Sequence, residues 1–188
     1  MPPKSKFTKE EIIAAAMKVV EREGIDKLTA RSLSEELGSS ARPIFTVFES
    51  MEELFSEVNS AAKKIYGEYV EEGLTKNLAF KGVGEAYIKF AVERPKLFQL
   101  LFMSERDEAE DDVLQGIEDH YDAIMKSITL NYGLSRPKAK KLYMHLWIYS
   151  HGIAVLLATK VCKFTVAQVS QMLTEVFKSI LKDIKSED

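Results

Sequence analysis

Segment 36–48, ELGSSARPIFTVF, carries side chains suited to nucleic-acid contacts. Arg42 is the only long hydrogen-bond donor in the segment, and its planar guanidinium can bind both acceptors on the major-groove edge of a guanine. Thr46 follows one helical turn later, where it can contact a thymine methyl group or a phosphate. Phe45 can pack inward or lie over a sugar-phosphate backbone. These residue types and their spacing favour a surface that contacts DNA, and the alternative is an ordinary short helix after a glycine turn, which many all-α proteins contain.

Two predicted helix starts offer a second kind of anion contact. Thr29 and Ser50 are expected N-caps, and the free N–H groups of each helix end can face a phosphate. Arg31 adds a full positive charge close to Thr29. Glu35, four residues after Arg31, offers the alternative of a surface ion pair.

Pro43 fixes the expected start of the helix that carries Arg42. With Ser40 as the N-cap, Pro43 is the third helical residue, where its missing N–H costs no intrahelical hydrogen bond. The sequence therefore predicts that Ser40 caps the helix and that Ser40, Ala41 and Arg42 face DNA.

The charge balance restricts any DNA contact to local groups. The 188 residues carry a net charge of −3, which argues against nonspecific coating of nucleic acid. Lys4 and Lys6, with Lys9, form a basic arm at the N-terminus. This arm can follow a DNA backbone or enter the minor groove, or it can simply be solvated.

Helical patterns position these residues. Thr8 and Glu11 have the spacing of a capping box, and an apolar face follows up to Gly24. A second short helix runs from Thr29 to Gly38, and later segments repeat apolar residues at spacings of three and four. Alternating β-branched runs are absent from the sequence. We predict an all-α protein with about nine helices.

Residues 8–54 resemble the N-terminal DNA-binding domain of the TetR family of bacterial transcriptional regulators. One matching feature is the run "A…EG…LT-x-R-x-L-x-EELG-x-S". The others are Phe45, an aromatic residue two positions after Pro43, then Phe48, and the "S-x-EEL" start of the fourth helix. In addition, LWIYSHGIAVL at 146–156 is similar to the Trp…His-Gly signature of one class of TetR-family C-terminal domains.

The resemblance implies a division into two domains. A three-helix, helix-turn-helix DNA-binding domain is expected over 1–49. A helical effector-binding and dimerisation domain is expected over 50–188, with a homodimer formed by the last two helices. The implied partners are a double-stranded DNA operator and a small-molecule effector of unknown identity.

Three positions depart from the family pattern. The family commonly has Tyr where Phe45 stands, His where Val47 stands and Lys where Met51 stands. The Tyr and the Lys usually contact DNA phosphates, and the loss of such contacts lowers affinity and its salt dependence. A helical binding or scaffold protein that has kept the fold but lost DNA binding is therefore the alternative function.

A ligand pocket is expected within the C-terminal helices. Trp147 and His151 lie four residues apart, on one face of a predicted helix. A buried Trp with a hydrogen-bonded His is also common in an ordinary core, and so is a stripe rich in aromatic residues and methionine. The further candidate walls of the pocket are Phe98, Leu101, Phe102, Tyr121 and Met125.

The sequence argues against several other classes of protein. The three histidines lack helical metal-ligand spacing, and neither a Gly-rich phosphate loop nor a "GxSxG" motif occurs, so no catalysis, metal or cofactor is expected. No membrane span or apolar signal segment is found, which predicts a cytoplasmic protein. The favoured function is a sequence-specific DNA-binding transcriptional regulator, a ligand-responsive repressor that acts as a homodimer.

Overall fold

A computed structural model describes residues 6–76, 78–104 and 120–186 of the chain. Within these ranges the chain forms nine α-helices and no strand, and a short 3-10 turn, Ile25–Lys27, follows the first helix. The predicted all-α class with about nine helices is confirmed. The helices are α1 (Lys9–Glu23), α2 (Ala30–Glu36), α3 (Ile44–Val47), α4 (Met51–Leu74), α5 (Ala79–Glu93), α6 (Pro95–Phe102), α7 (Tyr121–Tyr132), α8 (Arg136–Ala158) and α9 (Val166–Ser186).

Capping boxes begin the first two helices. Thr8 Oγ1 accepts a hydrogen bond from the Glu11 N–H at 3.2 Å, and Glu11 Oε2 accepts from the Thr8 N–H at 2.8 Å. At the start of α2, Thr29 Oγ1 accepts from the Ser32 N–H at 3.1 Å and Ser32 Oγ accepts from the Thr29 N–H at 2.9 Å. Each box satisfies two backbone donors that the helix leaves without intrahelical partners. The predicted caps at Thr8 and Thr29 are confirmed.

A left-handed residue makes the turn between α2 and α3. Gly38 has φ +57°, a conformation that glycine adopts without a steric penalty. Its N–H donates to the Glu35 carbonyl at 3.1 Å, and the Ser39 N–H donates to the Ser34 carbonyl at 3.0 Å. These bonds end α2 and redirect the chain toward α3.

The predicted start of the third helix at Ala41, with Ser40 as its cap, is wrong. Helix α3 begins at Ile44, and Pro43 stands at the N-cap position with φ −59° and ψ −31°. A tighter turn precedes the helix, because the Ile44 N–H donates to the Ala41 carbonyl at 3.1 Å, three residues back. Proline still fits this frame, since an N-cap N–H needs no partner within the helix.

The described chain divides into two compact units, and the division differs from the predicted boundary between residues 49 and 50. The first unit comprises residues 6–65 and 94–104, and the second comprises 66–76, 78–93 and 120–186. Helix α4 continues through the boundary. Helix α6, which was expected in the C-terminal domain, belongs to the first unit.

Helix α1 is central to the first unit. It packs against α2 and α6, and Arg94 just before α6 donates to Glu21 of α1 at 2.6 Å. Lys9, at the other end of α1, pairs with Glu57 of α4. The fully buried side chains of this core include Ile12, Val20, Leu33, Ile44, Phe48, Leu54, Leu97 and Phe98.

Helix α5 occupies the corresponding place in the second unit, where it packs against α7, α8 and α9. It meets the end of α4 at two glycines. A Cβ atom on Gly73 would lie 2.7 Å from the Gly82 carbonyl oxygen and 2.9 Å from the Val83 Cα. The two backbones therefore touch directly at this crossing, which any larger residue would separate.

Across the described ranges, none of the helices is both long enough and apolar enough to span a lipid bilayer.

Candidate functional site

Arg42 lies on the exposed turn that leads into α3, rather than inside the helix. Its side chain is exposed, and it takes part in none of the ion pairs found in the described part of the first unit. An exposed guanidinium without a carboxylate partner keeps all its N–H donors available to another molecule.

Phe45 and Thr46 occupy the solvent-facing side of α3. Phe45 is 48% exposed, which is a large apolar surface for an aromatic side chain outside the core. Thr46 is also exposed, and its hydroxyl donates to the Arg42 carbonyl at 3.0 Å, which leaves its methyl group and oxygen lone pairs facing outward. The opposite side of α3 is anchored by Ile44 and Phe48, both buried.

The basic arm reaches the turn before α3. Lys6 Nζ donates to Ser39 Oγ at 3.3 Å. The lysine charge therefore lies beside the residue that directly precedes Ser40 and Ala41. Ser40 is exposed and Ala41 is half-buried. Lys4 lies outside the described residues.

Arg31 forms the surface pair that the sequence offered as the alternative to a DNA contact. Its Nε lies 3.1 Å from Glu35 Oε1, and the Arg31 side chain is 88% exposed. An exposed i,i+4 pair of this kind contributes about 0.3–0.5 kcal/mol, so a phosphate can compete for the arginine. Thr29, the exposed cap of α2, lies two residues before it.

The start of α4 has a capping arrangement that carries its own negative charge. Ser50 Oγ accepts from the Glu53 N–H at 3.2 Å, while Glu53 Oε2 accepts from the N–H of Glu49, the residue before Ser50, at 2.7 Å. Hydrogen bonds from its own backbone N–H and from Ser50 lower the pKa of Glu52. These carboxylates offset the helix dipole where Ser50 was predicted to face a phosphate.

A cleft of about 840 Å³, including the part open to solvent, lies within the second unit. Helices α4, α5, α7, α8 and α9 all contribute to its walls, which are mainly aromatic and apolar. Walls of this composition are typical of sites for small organic molecules. Aromatic walls are formed by Tyr66, Phe80, Tyr87, Tyr143, Trp147 and Phe177.

One side of the cleft is held by a tyrosine, a histidine and a tryptophan. The Tyr87 hydroxyl and His151 Nδ1 lie 2.8 Å apart, and the His151 ring stacks on Trp147 with centroids at 5.1 Å and an interplanar angle of 17°. Burial lowers the pKa of His151, which keeps the imidazole neutral at pH 7. Unprotonated Nδ1 can accept a hydrogen bond from the Tyr87 hydroxyl, and this bond fixes the orientation of both rings.

Few of the predicted pocket residues line this cleft. Trp147 does. His151 does not line the cleft itself, but it contacts Tyr87, which does. Tyr121 and Met125 are buried elsewhere in the second unit. The other three predicted residues are in the first unit, on the helix that packs against α1: Phe98, Leu101 and Phe102.

The described ranges contain no group of three or more His, Cys, Asp and Glu side chains arranged to hold a metal ion. In the same ranges Cys162 is a half-buried free thiol.

Two family profiles match the chain over most of its length. Residues 12–58 match "Bacterial regulatory proteins, tetR family", and residues 80–183 match "Tetracyclin repressor-like, C-terminal domain". The second match alone covers more than half of the chain. The chain belongs to the TetR family. It is therefore a DNA-binding transcriptional regulator with an N-terminal helix-turn-helix and a helical C-terminal region.

Solved structures share the TetR fold at low sequence identity. A substituted TetR from Acinetobacter baumannii AYE, in complex with minocycline, is 13% identical with a TM-score of 0.61, over 96% of this chain and 98% of that one. A Clostridium perfringens protein, named as a regulator of fatty acid metabolism, is 15% identical with a TM-score of 0.59, over 91% and 96%. No curated protein matches the sequence.

The TetR-family chain has site residues that the sequence did not single out. Phe80, Gly84 and Tyr87 of α5 and Ser150 of α8 all line the cleft. The spacing of Phe80, Gly84 and Tyr87 places them on one helix face, but a core-facing stripe has the same spacing. Only the packing of α5 against its neighbours shows whether such a face lines a cleft or is buried in the core.

Proposed function

We propose that this TetR-family protein is a cytoplasmic, homodimeric repressor that leaves its operator when a small molecule binds the second unit. The observation that carries the DNA-binding part is the exposed guanidinium of Arg42, which has no carboxylate partner in the described first unit, beside the exposed ring of Phe45. A guanidinium on a recognition surface can bind a guanine edge in two places. Lys6, near the same turn, supplies a phosphate contact.

Helix α8 presents a surface suited to a second copy of the chain. Ile148 is 57% exposed and Leu156 is 39% exposed, and Gly152 lies between them at intervals of four residues. A Cβ atom on Gly152 would have open space around it, so a neighbouring helix can approach closely there. Helices α8 and α9 pack together, and they would form a four-helix interface around a twofold axis.

A dimer would present two recognition surfaces to half-sites about one helical turn, roughly 34–36 Å, apart. We expect Ile148→Arg to convert the protein to a monomer at micromolar concentration, because a buried charge without a partner opposes association. Sedimentation equilibrium measures the change. The matched control is Leu130→Arg, at a leucine of α7 that is 72% exposed, and a loss of dimer in the control would contradict the assignment to α8.

Helix α4 offers a route from ligand to DNA. The helix is continuous from Met51 to Leu74, and it carries both Leu54, buried in the first unit, and Tyr66, on the wall of the cleft. A ligand that contacts Tyr66 can change operator affinity only if it binds better to one position of α4 than to another.

A gel shift at low salt with the promoter of the protein's own gene tests DNA binding. The proposal requires a specific complex that survives competition by unrelated DNA. Absence of that complex would favour the scaffold function, which the departures at Phe45 and Met51 left open.

Arg42→Ala is expected to relax discrimination at one base pair of each half-site, by about 1–3 kcal/mol, because a guanidinium that binds a base edge reads that base. Binding to a panel of single-base operator variants measures this effect. Arg31→Ala, at a residue already paired with Glu35, is the control and should weaken all sequences equally or not at all. A uniform loss on Arg42→Ala would show that Arg42 only holds phosphate.

A further inference from the structure

We propose that the cleft of the second unit selects organic anions, with an aromatic or apolar body inside the cleft and the acid group at its mouth beside Lys81 and Lys178. This inference rests on the proposed function as an effector-responsive regulator, and it names the chemical class of the effector.

The charges of the cleft walls have one sign. Lys81 and Lys178 are the charged residues on the walls, and no carboxylate lines them. The Lys178 side chain is exposed and takes part in none of the ion pairs of the described second unit. Lys81 lies 3.6 Å from Glu85, a partly exposed i,i+4 contact that an anionic ligand can replace at small cost.

A second cleft in the same unit shows that this charge pattern is specific. That cleft is lined by three glutamates, at positions 72, 85 and 93, together with Lys76 and Lys89. Its charges pair with one another, as Lys89 does with Glu72 at 3.1 Å. The walls of the aromatic cleft carry no carboxylate, so an anion there meets Lys178, and Lys81 once its contact with Glu85 is exchanged.

Ser150 provides a polar contact deep in the aromatic cleft. The residue is 5% exposed, and its hydroxyl takes part in none of the hydrogen bonds of the described residues. Its Oγ faces the space above Gly84, where an added Cβ would lie 3.6 Å from it. A hydroxyl that faces the cleft can donate a hydrogen bond to a polar atom on the ligand body or accept one from it.

The aromatic walls favour a planar ligand body. Phe80 and Tyr143 make an edge-on contact with centroids 5.7 Å apart, and Phe177 meets Phe80 at 6.4 Å. Such rings offer both faces and edges to an inserted ring. Gly84 leaves the floor of the cleft without a side chain.

Two dyes with the same ring system test the charge preference. Anilinonaphthalene sulfonate is anionic, and phenylnaphthylamine is its neutral counterpart without the sulfonate. Trp147, the only tryptophan of the chain, lines the cleft, so energy transfer from Trp147 to the dye reports binding there. We expect the intact protein to bind the anionic dye about tenfold more tightly, because a lysine ammonium at the mouth donates a charged hydrogen bond to the sulfonate and exposed charges compete for it only weakly.

A substitution at the mouth tests how much Lys178 contributes to the preference. Lys178→Met should reduce affinity for the sulfonate several-fold and leave the neutral dye unchanged. Lys182→Met, one turn later on α9 and outside the cleft, should change neither. Gly84→Met should abolish binding of both dyes by filling the cleft, with circular dichroism as the check on folding.

Equal affinity for both dyes, or equal losses with Lys178→Met and Lys182→Met, would overturn the proposal. Sulfonate binding that survives in folded Gly84→Met would also overturn it, because the dye would then occupy another apolar surface. The gel shift without dye distinguishes a failure of the proposed regulator function from a failure of the proposed ligand class. A specific operator complex together with no charge preference would refute only the ligand class.

Discussion

Gly82→Ala should destabilise the second unit by about 3 kcal/mol or more. A Cβ atom on Gly82 would overlap the Gly73 carbonyl oxygen, and the reciprocal change at Gly73 would place a Cβ 2.7 Å from the Gly82 carbonyl. Both obstacles are backbone atoms within helices, so no side-chain rotation relieves the overlap and α4 and α5 must separate. Urea unfolding followed by circular dichroism measures the loss.

Gly84→Ala, two residues later on α5, is the matched control and should have the opposite sign. Its Cβ would lie 3.6 Å from Ser150 Oγ and 3.8 Å from Leu173 Cδ1, which are ordinary contact distances. Replacement of a helical glycine by alanine then stabilises by about 0.5–1 kcal/mol. Similar losses in both variants would mean that helix α5 tolerates no added methyl group, and the argument from the crossing would fail.

Phe98→Ala should cost about 3–5 kcal/mol of stability in the first unit, because Phe98 is fully buried in α6, the helix that packs against α1. Thermal unfolding of the wild type and the variant measures the effect. Since Phe98 lies outside the cleft, dye binding should stay unchanged in the fraction that remains folded.

Phe102→Ala is the control for Phe98→Ala. Phe102 lies one turn later on the same helix, with its ring 5.4 Å from that of Phe98, but it is only half-buried. Its loss should therefore be clearly smaller. A fall in dye affinity on Phe98→Ala at full folding would restore the original prediction that Phe98 lines a ligand pocket.

The helices were predictable from the sequence because their signals are local. The capping box at Thr8 and Glu11 and the cap at Thr29 involve residues three apart, so their geometry follows from helix formation alone. Pro95 begins α6, as its fixed φ and missing N–H favour. The start of α3 was misplaced by three residues, because a cap at Ser40 and a tight turn to Pro43 both satisfy the constraints that proline imposes.

The partners of each helix were not predictable in the same way. The apolar face of α6 shows that Leu97 and Phe98 are buried, but not which helix buries them. Three residues of this helix, Phe98, Leu101 and Phe102, were therefore predicted as pocket walls, although α6 packs against α1. For the same reason the cleft was recognised only at Trp147, since the aromatic residues of α4, α5 and α9 come together through long-range packing.

For some candidate residues, the structure adds the contacts that the side chain makes at its place in the fold. Arg31 was expected either at a phosphate or in a surface pair, and the pair with Glu35 is formed. Ser50 caps α4 as predicted, but the local carboxylates, which the sequence shows only as a favourable capping pattern, surround it. Arg42 and Phe45 keep the exposed positions that a DNA contact requires.

The shortness of α3 affects how often this helix opens locally. Four residues cannot sustain a helix in water, because nucleation costs more than so few hydrogen bonds return. Its order depends on two buried side chains, Ile44 and Phe48, at either end. The amide protons of α3 should consequently exchange with solvent through local opening, well before those of α1, and under the proposed function bound operator should slow that exchange.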